Sequence, residues 1–173
     1  MGFWPFSKST PKFQDKALEE MAQLYLTKSD TPGSELLNSS KLDFSEESLV
    51  IIDQYLAVMR QKNLEGESLM KFVFRCGAYV GEVVRRNAKD SEYHWIDFPT
   101  AAKLDKDKHI ASLAEGLGTV AILWDGKREF WFPFGKVIKF LQNGQEDSVK
   151  HFARFIISNR INAQPDISIN LNA

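Results

Sequence analysis

Four side chains suited to polar recognition fall on one stripe of a predicted helix. Arg75, Tyr79, Glu82 and Arg86 stand at i, i+4, i+7 and i+11, which places them on a single helical face. Arginine offers a planar fork that fits carboxylates, and tyrosine offers a rigid amphipathic surface. We therefore predict that this stripe binds another protein. The alternative is a solvated helix face on which Glu82 and Arg86 form an ion pair.

Residues for catalysis or metal binding do not fall in any known spacing. The three histidines, His94, His109 and His151, lie on different segments, and no His-x-x-x-His pair, Gly-rich phosphate loop or Gly-x-Ser-x-Gly elbow is found. We therefore predict no catalytic residue, no metal and no cofactor. An enzyme acting on a small polar metabolite is the alternative, with Glu82, Asp97 or His94 as its reactive groups.

The composition argues against several classes of partner. Lysine and arginine number 22 against 23 aspartates and glutamates, so the chain lacks the basic excess of a nucleic-acid binder. A single cysteine, Cys76, excludes an internal disulfide framework. No apolar run approaches the roughly 18 residues of a membrane span, and the first residues do not resemble a signal peptide. We expect a cytoplasmic protein without a nucleic-acid partner or a membrane span.

Apolar spacing predicts the helices that position the stripe. The stripe's own helix is expected over residues 68–87, with an inner face of Leu69, Val73, Cys76, Val80 and Val83. Cys76 on that face is expected to be an inert core thiol. Gly77 and Gly81 on a neighbouring flank predict the close approach of a sheet or another helix. Earlier helices are expected over 12–28 and from Ser45, which can cap the second one, to residue 62.

The remaining segments predict a short sheet and two further helices. A strand is expected near Trp95, followed by a hairpin over 119–132 whose turn is the dipeptide Asp125-Gly126. Both faces of the first hairpin strand are apolar, so it is expected to be central or covered on both sides. Helices should start at Pro133 and near residue 146. The last has an expected inner face of Val149, Phe152, Phe155 and Ile156. Residues 99–117 stay ambiguous, and Trp95, Trp124 and Trp131 are expected in the core rather than stacked on a ligand.

This order of elements predicts an α+β fold, a single domain with helices packed on a small antiparallel sheet. We divide the chain into an N-terminal arm and helix (1–34), a globular domain (35–162) and a C-terminal tail (163–173). The aromatic arm docks on the body, touches a membrane surface or is mobile. The alternating tail residues 167–171 are either frayed or a short edge strand.

Two segments resemble a loose group of small uncharacterised bacterial proteins. One segment is Gly77-Ala78-Tyr79-Val80-Gly81-Glu82-Val83, followed by Trp95 on a strand. The other is Pro133-Phe134-Gly135-Lys136-Val137, followed by Asn143-Gly144-Gln145-Glu146-Asp147-Ser148. The resemblance covers about residues 42–157 and implies a bacterial cytoplasmic α+β domain without assigned catalytic residues. Some proteins of this kind stand in toxin–immunity loci, which implies a toxin as a candidate partner.

We therefore predict a non-catalytic protein-binding module that serves as an immunity or regulatory factor. The alternatives are the small enzyme described above and a homo-oligomeric structural protein that associates through the hairpin edge or the tail.

Overall fold

The computed structural model describes residues 11–24, 30–89 and 91–158. Within these ranges the helices are α1 (Asp15–Gln23), α2 (Leu49–Arg60), α3 (Gly66–Asn87), α4 (Phe98–Leu104), α5 (Pro133–Asn143) and α6 (Val149–Ser158). The strands are β1 (His94–Ile96), β2 (Ile122–Trp124) and β3 (Phe130–Trp131). The predicted α+β class, with helices on a small antiparallel sheet, is confirmed. Residues 1–10 of the predicted arm and the whole predicted tail, including its edge strand, lie outside the described residues.

The longest helix, α3, is central because one of its faces is apolar along most of its length. Its 22 residues span about 33 Å at 1.5 Å per residue, and α1, α5 and α6 pack against it. The predicted inner face is confirmed, since Val73, Cys76, Val80 and Val83 are fully buried and Leu69 is half-buried. The Cys76 side chain therefore lies in the middle of the main core.

Two glycines on the flank of α3 admit side chains from other elements. A Cβ atom at Gly77 would lie 2.8 Å from the ring of Phe134 on α5. A Cβ atom at Gly81 would overlap Cζ2 and Cη2 of Trp95 on β1 and would lie 3.2 Å from Pro133. The predicted close approach is confirmed, and both a strand and a helix make it.

The strands form one antiparallel sheet in the order β1-β2-β3, so β2 is central as predicted. Trp95 pairs with Leu123, and Leu123 pairs with Trp131. This row contacts the main core, in which Trp95 and Leu123 are fully buried. On the other face, a smaller cluster of buried residues comprises Ile96, Ala101, Ile110 and Ile122. Both faces of β2 are therefore covered at its centre.

The hairpin turn differs from the sequence-based prediction. Trp124 pairs with Phe130, and the Asp125 backbone N–H donates to the Glu129 carbonyl at 3.2 Å. The turn therefore consists of residues 126–128. One carboxylate oxygen of Asp125 accepts the backbone N–H groups of residues 127–129 at 2.8–2.9 Å. The prediction of a two-residue turn is wrong because this side chain stabilises a longer one.

Local sequence signals account for the starts and ends of several helices. Ser45 Oγ accepts the Ser48 backbone N–H at 3.2 Å, as its predicted capping role requires, although regular helix begins only at Leu49. Pro133 is the first residue of α5, as predicted. Gly144 ends that helix with a φ of 85°, in the region that favours glycine.

Helix α6 starts on a carboxylate supplied by α2. The buried side chain of Asp53 accepts the Val149 backbone N–H at 2.8 Å and the Ser148 hydroxyl at 2.6 Å. Ala153 is buried on the inner face of α6, but Phe155 is 38% exposed. The prediction that Phe155 belongs to the inner face is therefore wrong. Its ring instead contacts Trp131 edge-on, at the side of the sheet.

Helix α1 shares the main core with the rest of the chain. Leu18 and Ala22 are buried, and the helix packs against α3 and β1. Helix α1, which lies within the predicted N-terminal segment 1–34, therefore packs onto the globular domain. None of the helices in the described ranges combines the length and the apolar composition that a membrane crossing requires.

Candidate functional site

The structure places the predicted binding stripe largely inside the protein. Tyr79 and Glu82 are both 0% exposed. The side chain of Arg75 is 11% exposed, and that of Arg86 is 33% exposed. The face of α3 that carries them is covered by α1, β1 and the segment 31–48 through the contacts described next.

The Glu82 carboxylate joins three elements. It accepts the Trp95 indole N–H of β1 at 2.9 Å. It also accepts hydrogen bonds from the guanidinium groups of Arg85 at 2.8 Å and Arg86 at 3.2 Å. Although partial burial acts to lower the pKa of Arg85, its hydrogen bond with Glu82 raises that pKa overall. Both arginines also pair with Glu19 of α1, at 3.7 and 3.0 Å. The Glu82 carboxylate is therefore part of the junction that holds α1 in place.

The Tyr79 hydroxyl binds the loop that precedes α2. It accepts the Phe44 backbone N–H at 3.0 Å and lies 2.7 Å from the Ser48 hydroxyl. Burial raises the pKa of Tyr79. Phe44 stacks on the tyrosine ring at a centroid distance of 4.8 Å and has a φ of 60°. The hydroxyl therefore fixes a bend in the backbone and is not available to a partner.

The two outer arginines of the stripe are also engaged. Arg75 donates to the Thr31 hydroxyl and to the Asp30 carboxylate. The guanidinium of Arg86 lies 3.8 Å from the centroid of the Phe44 ring, an arrangement typical of a cation–π contact. The expectation of one exposed contact surface is wrong for this face. Helical spacing places the residues on one side but does not reveal what covers that side.

The groups named for the enzyme alternative are engaged in structural contacts. Asp97 accepts the Thr100 backbone N–H at 2.8 Å and caps α4, and hydrogen bonds with Thr100 lower the pKa of Asp97. His94 Nδ1 lies 2.8 Å from the Asp15 carboxylate. Glu82 is enclosed as described above. Each group thus has a structural partner.

A second group of titratable residues lies after α4. Asp105, Asp107 and His109 place one ligand atom each within 4.8 Å of one another. Asp105, however, accepts the backbone N–H groups of Asp107 at 3.1 Å and Ile110 at 2.7 Å. Its carboxylate therefore serves the turn that begins at residue 105. Asp107 and His109 are exposed.

A groove with an apolar floor opens between the end of α2, the start of α3 and the second half of α5. Its volume is about 350 Å³, near the lower end of the range for ligand sites. The floor consists of aliphatic and thioether side chains: Met59, Leu64, Leu69, Leu117, Ile138 and Leu141. Apart from the buried Met59, these side chains are half-buried, so they present apolar surface to the groove. We call this feature the α2–α5 groove.

The polar rim of the α2–α5 groove comprises Arg60, Asn63 and Gln142, all of them exposed. Arg60 donates to the backbone carbonyls of Leu141 and Gln142, both at 3.0 Å. This guanidinium thus caps the last turn of α5, where the helix dipole favours a cation. Asn63 has a φ of 47° and joins α2 to α3. An apolar centre with a polar rim is the usual arrangement of a protein interface.

The α2–α5 groove is not predictable from the spacing of residues in the sequence. Its residues come from four separate parts of the chain, so no spacing connects them. Leu64, an apolar residue within the polar turn between α2 and α3, is a local signal that could have pointed to it. No protein-family model, no curated protein and no solved structure matches this chain.

Proposed function

We propose that this protein is a non-catalytic protein-binding module and that the α2–α5 groove receives apolar side chains of the partner. The observation that carries the proposal is the chemistry of the groove. Among the described residues, its floor is apolar and only one charged residue lines it. That residue, Arg60, is hydrogen-bonded to α5. A partner is therefore expected to insert uncharged side chains, while Asn63 and Gln142 meet polar groups at the rim.

A catalytic role has less support because the acidic and basic groups are used elsewhere. Catalysis by side chains needs titratable groups that converge on a substrate. Glu82, Asp97 and His94 instead hold α3, α4 and α1 in place. None of them lines the groove.

The resemblance to small bacterial proteins supports a more specific role, that of a cytoplasmic immunity or regulatory factor. The partner would then be a toxin or a regulated enzyme encoded nearby. Inspection of the neighbouring open reading frame tests this role. A toxin-like neighbour supports it, and co-purification of the two products, lost on a groove substitution, would establish it.

The groove itself is tested with Leu64→Glu, because this half-buried position lies in a turn and a carboxylate there would be placed against the apolar floor. Val58→Glu is the matched control, since Val58 on α2 is 45% exposed and does not line the groove. Wild type and both variants are immobilised, and proteins of the native host that bind to each are collected. The captured protein is then purified and titrated by calorimetry.

We expect Leu64→Glu to weaken binding at least tenfold, about 1.4 kcal/mol, and Val58→Glu to bind like wild type. Urea unfolding of each variant accompanies the titration, and Leu64→Gln replaces Leu64→Glu if the latter unfolds. Equal affinity of wild type and a folded Leu64 variant would contradict the groove as the contact. Concentration-dependent self-association that Leu64→Glu abolishes would favour a homo-oligomer instead.

A further inference from the structure

One row of side chains on the smaller-cluster face of the sheet is incompletely covered. His94 pairs with Trp124, and Trp124 pairs with Phe130, so their side chains cross the three strands side by side. All three are half-buried. The adjacent row, Ile96 and Ile122, is fully buried beneath α4 and residue 110. We call the half-buried row formed by His94, Trp124 and Phe130 the aromatic row.

Packing around the aromatic row leaves one polar group unsatisfied. The indole Nε1 of Trp124 is enclosed and has no hydrogen-bond partner among the described residues. A buried donor without an acceptor costs about 1–3 kcal/mol. By contrast, the Trp95 indole on the other face is paired with Glu82. A further segment that let the Trp124 ring turn and meet an acceptor would remove this cost.

The N-terminal part of the chain reaches the sheet on this face. Gln14 donates its backbone N–H to the Trp95 carbonyl at 2.8 Å, along the outer edge of β1. The Phe13 ring stacks on His94, at a centroid distance of 4.0 Å, and so extends the aromatic row by one ring. Hydrogen bonds with Thr100 lower the pKa of Asp97, which follows β1, and the Lys12 charge lowers that pKa further. Residues 12–14 therefore lead the chain onto the side where the aromatic row lies.

The preceding residues have the composition and the length to cover this row. Residues 1–10 include Phe3, Trp4 and Phe6 and contain no acidic side chain. From position 12, eight extended residues reach about 26 Å, whereas the outer strands of a three-stranded sheet lie about 10 Å apart. Helix α6, from which the C-terminal residues continue, packs on the opposite face through Phe155 and Trp131. The N-terminal segment is therefore the better placed of the two.

We propose that the N-terminal aromatic segment, Phe3, Trp4 and Phe6, docks on the aromatic row of its own chain. It covers His94, Trp124 and Phe130 with apolar surface, and its backbone carbonyls provide an acceptor for the Trp124 indole. This surface is separate from the α2–α5 groove, so the inference does not depend on the proposed function.

The test uses the full chain with a nitroxide spin label attached at Ser9→Cys, because the native thiol of Cys76 is buried. Amide and indole NMR signals are recorded with the label oxidised and reduced. We expect strong broadening of the Trp124 indole and Phe130 amide signals, with the Val58 amide as an unaffected reference. Equal, weak effects at all three sites would overturn the proposal.

Two further measurements test whether the N-terminal segment binds a second copy of the chain or a membrane surface instead. Broadening that appears only when labelled and isotope-enriched chains are mixed would assign the segment to a second copy and would overturn docking within one chain. Flotation of wild type with anionic vesicles, with the Trp124 signal unbroadened, would assign the segment to a membrane surface and would equally overturn it.

Substitutions on the full chain complete the test. The variant Phe3→Ser/Trp4→Ser/Phe6→Ser should increase hydrogen exchange at the Trp124 indole about tenfold, while the Trp95 indole stays protected. The matched control, Leu36→Ser/Val58→Ser/Met70→Ser, alters three apolar residues that are 45–53% exposed and should leave the Trp124 exchange unchanged. An unchanged Trp124 exchange rate in the N-terminal variant would contradict the proposal.

Discussion

The side chain of Glu82, which the sequence predicts to bind a partner, stabilises the fold instead. Its carboxylate is fully buried and binds a tryptophan on β1 and two arginines that reach α1. Removing either partner of a buried ion pair destabilises a protein by several kcal/mol. The arrangement therefore makes α1, α3 and β1 depend on one another.

Replacing Glu82 with alanine should destabilise the protein by about 3 kcal/mol, at the lower end for a buried pair because the arginines are partly exposed. Urea unfolding at pH 7 measures this cost. Glu20→Ala is the control, since Glu20 pairs with Lys16 at 3.9 Å on the surface and should change stability by less than about 1 kcal/mol. Equal effects of the two variants would show that Glu82 is not structurally required.

Gly81 lies where the Trp95 ring leaves no room for a side chain. Alanine there would place its Cβ within the Trp95 ring, so Gly81→Ala should cost well over 1 kcal/mol by overpacking, despite the better helix propensity of alanine. Gly116→Ala is the matched control, because a Cβ at Gly116 meets no atom of the described part of the chain within 4 Å. Thermal and urea unfolding compare the two variants. A neutral Gly81→Ala would contradict the close approach of β1.

Single residues were unequally predictable from the sequence. Gly81 was identified because a glycine inside a helix is costly and indicates a close neighbour. The burial of Tyr79 and Glu82 was not predicted, since their partners lie in the 44–48 loop and on β1, and helical periodicity carries no information about these. The α2–α5 groove was missed for the same reason.

Among the elements, the helices with long apolar stripes were predicted and the short ones were not. Helix α4 has only seven residues, too few for a period to appear, and it forms because Asp97 caps it and Pro99 suits its first turn. The hairpin was found from its apolar strands, but its turn was set by hydrogen bonds to the Asp125 side chain. Local chemistry of this kind outweighs dipeptide preferences.

The segment before α2 is tied to α3 by a carboxylate whose titration can be followed. Asp30 lies 2.9 Å from Lys71 and 2.5 Å from Arg75, and hydrogen bonds from these two cations lower the pKa of Asp30 from 3.8 to about 2. Because the folded-state pKa is the lower one, the contact stabilises the fold above about pH 4 and is lost as the pH falls through 2.

We therefore predict an NMR titration midpoint of about 2 for the Asp30 carboxyl. In Lys71→Met the midpoint should rise towards the ordinary value, because the hydrogen bond with Lys71 is the largest cause of the lowered pKa. Asp30→Asn should flatten the loss of stability between pH 4 and 2. A midpoint near 3.8 in the wild-type protein would contradict the ion pairs.

On the scale of the whole molecule, one core connects α1, α2, α3, α5 and α6 with one face of the sheet. The single cysteine, Cys76, is fully buried within it. Its thiol can therefore report whether the core opens as a unit, because a reagent reaches it only when these elements separate.

We expect no reaction of Cys76 with a thiol reagent in native buffer. The free energy of exposure derived from labelling rates should fall linearly with urea, with the slope of global unfolding, about 1–3 kcal/mol per molar urea. Cys76→Ala/Val58→Cys is the control and should react at once. A shallow urea dependence for Cys76 would instead reveal local opening of α3.

The contacts of residues 14 and 15 with β1 have a consequence for self-assembly. The Trp95 backbone N–H and carbonyl point away from β2 and would otherwise offer a template for an added strand, but Asp15 and Gln14 occupy both. A chain cleaved after residue 15 would lose both hydrogen bonds to the Trp95 backbone. It would also lose the Phe13 ring that stacks on His94. Proteolytic trimming of the N-terminus should therefore lead to edge-to-edge aggregation before it leads to global unfolding.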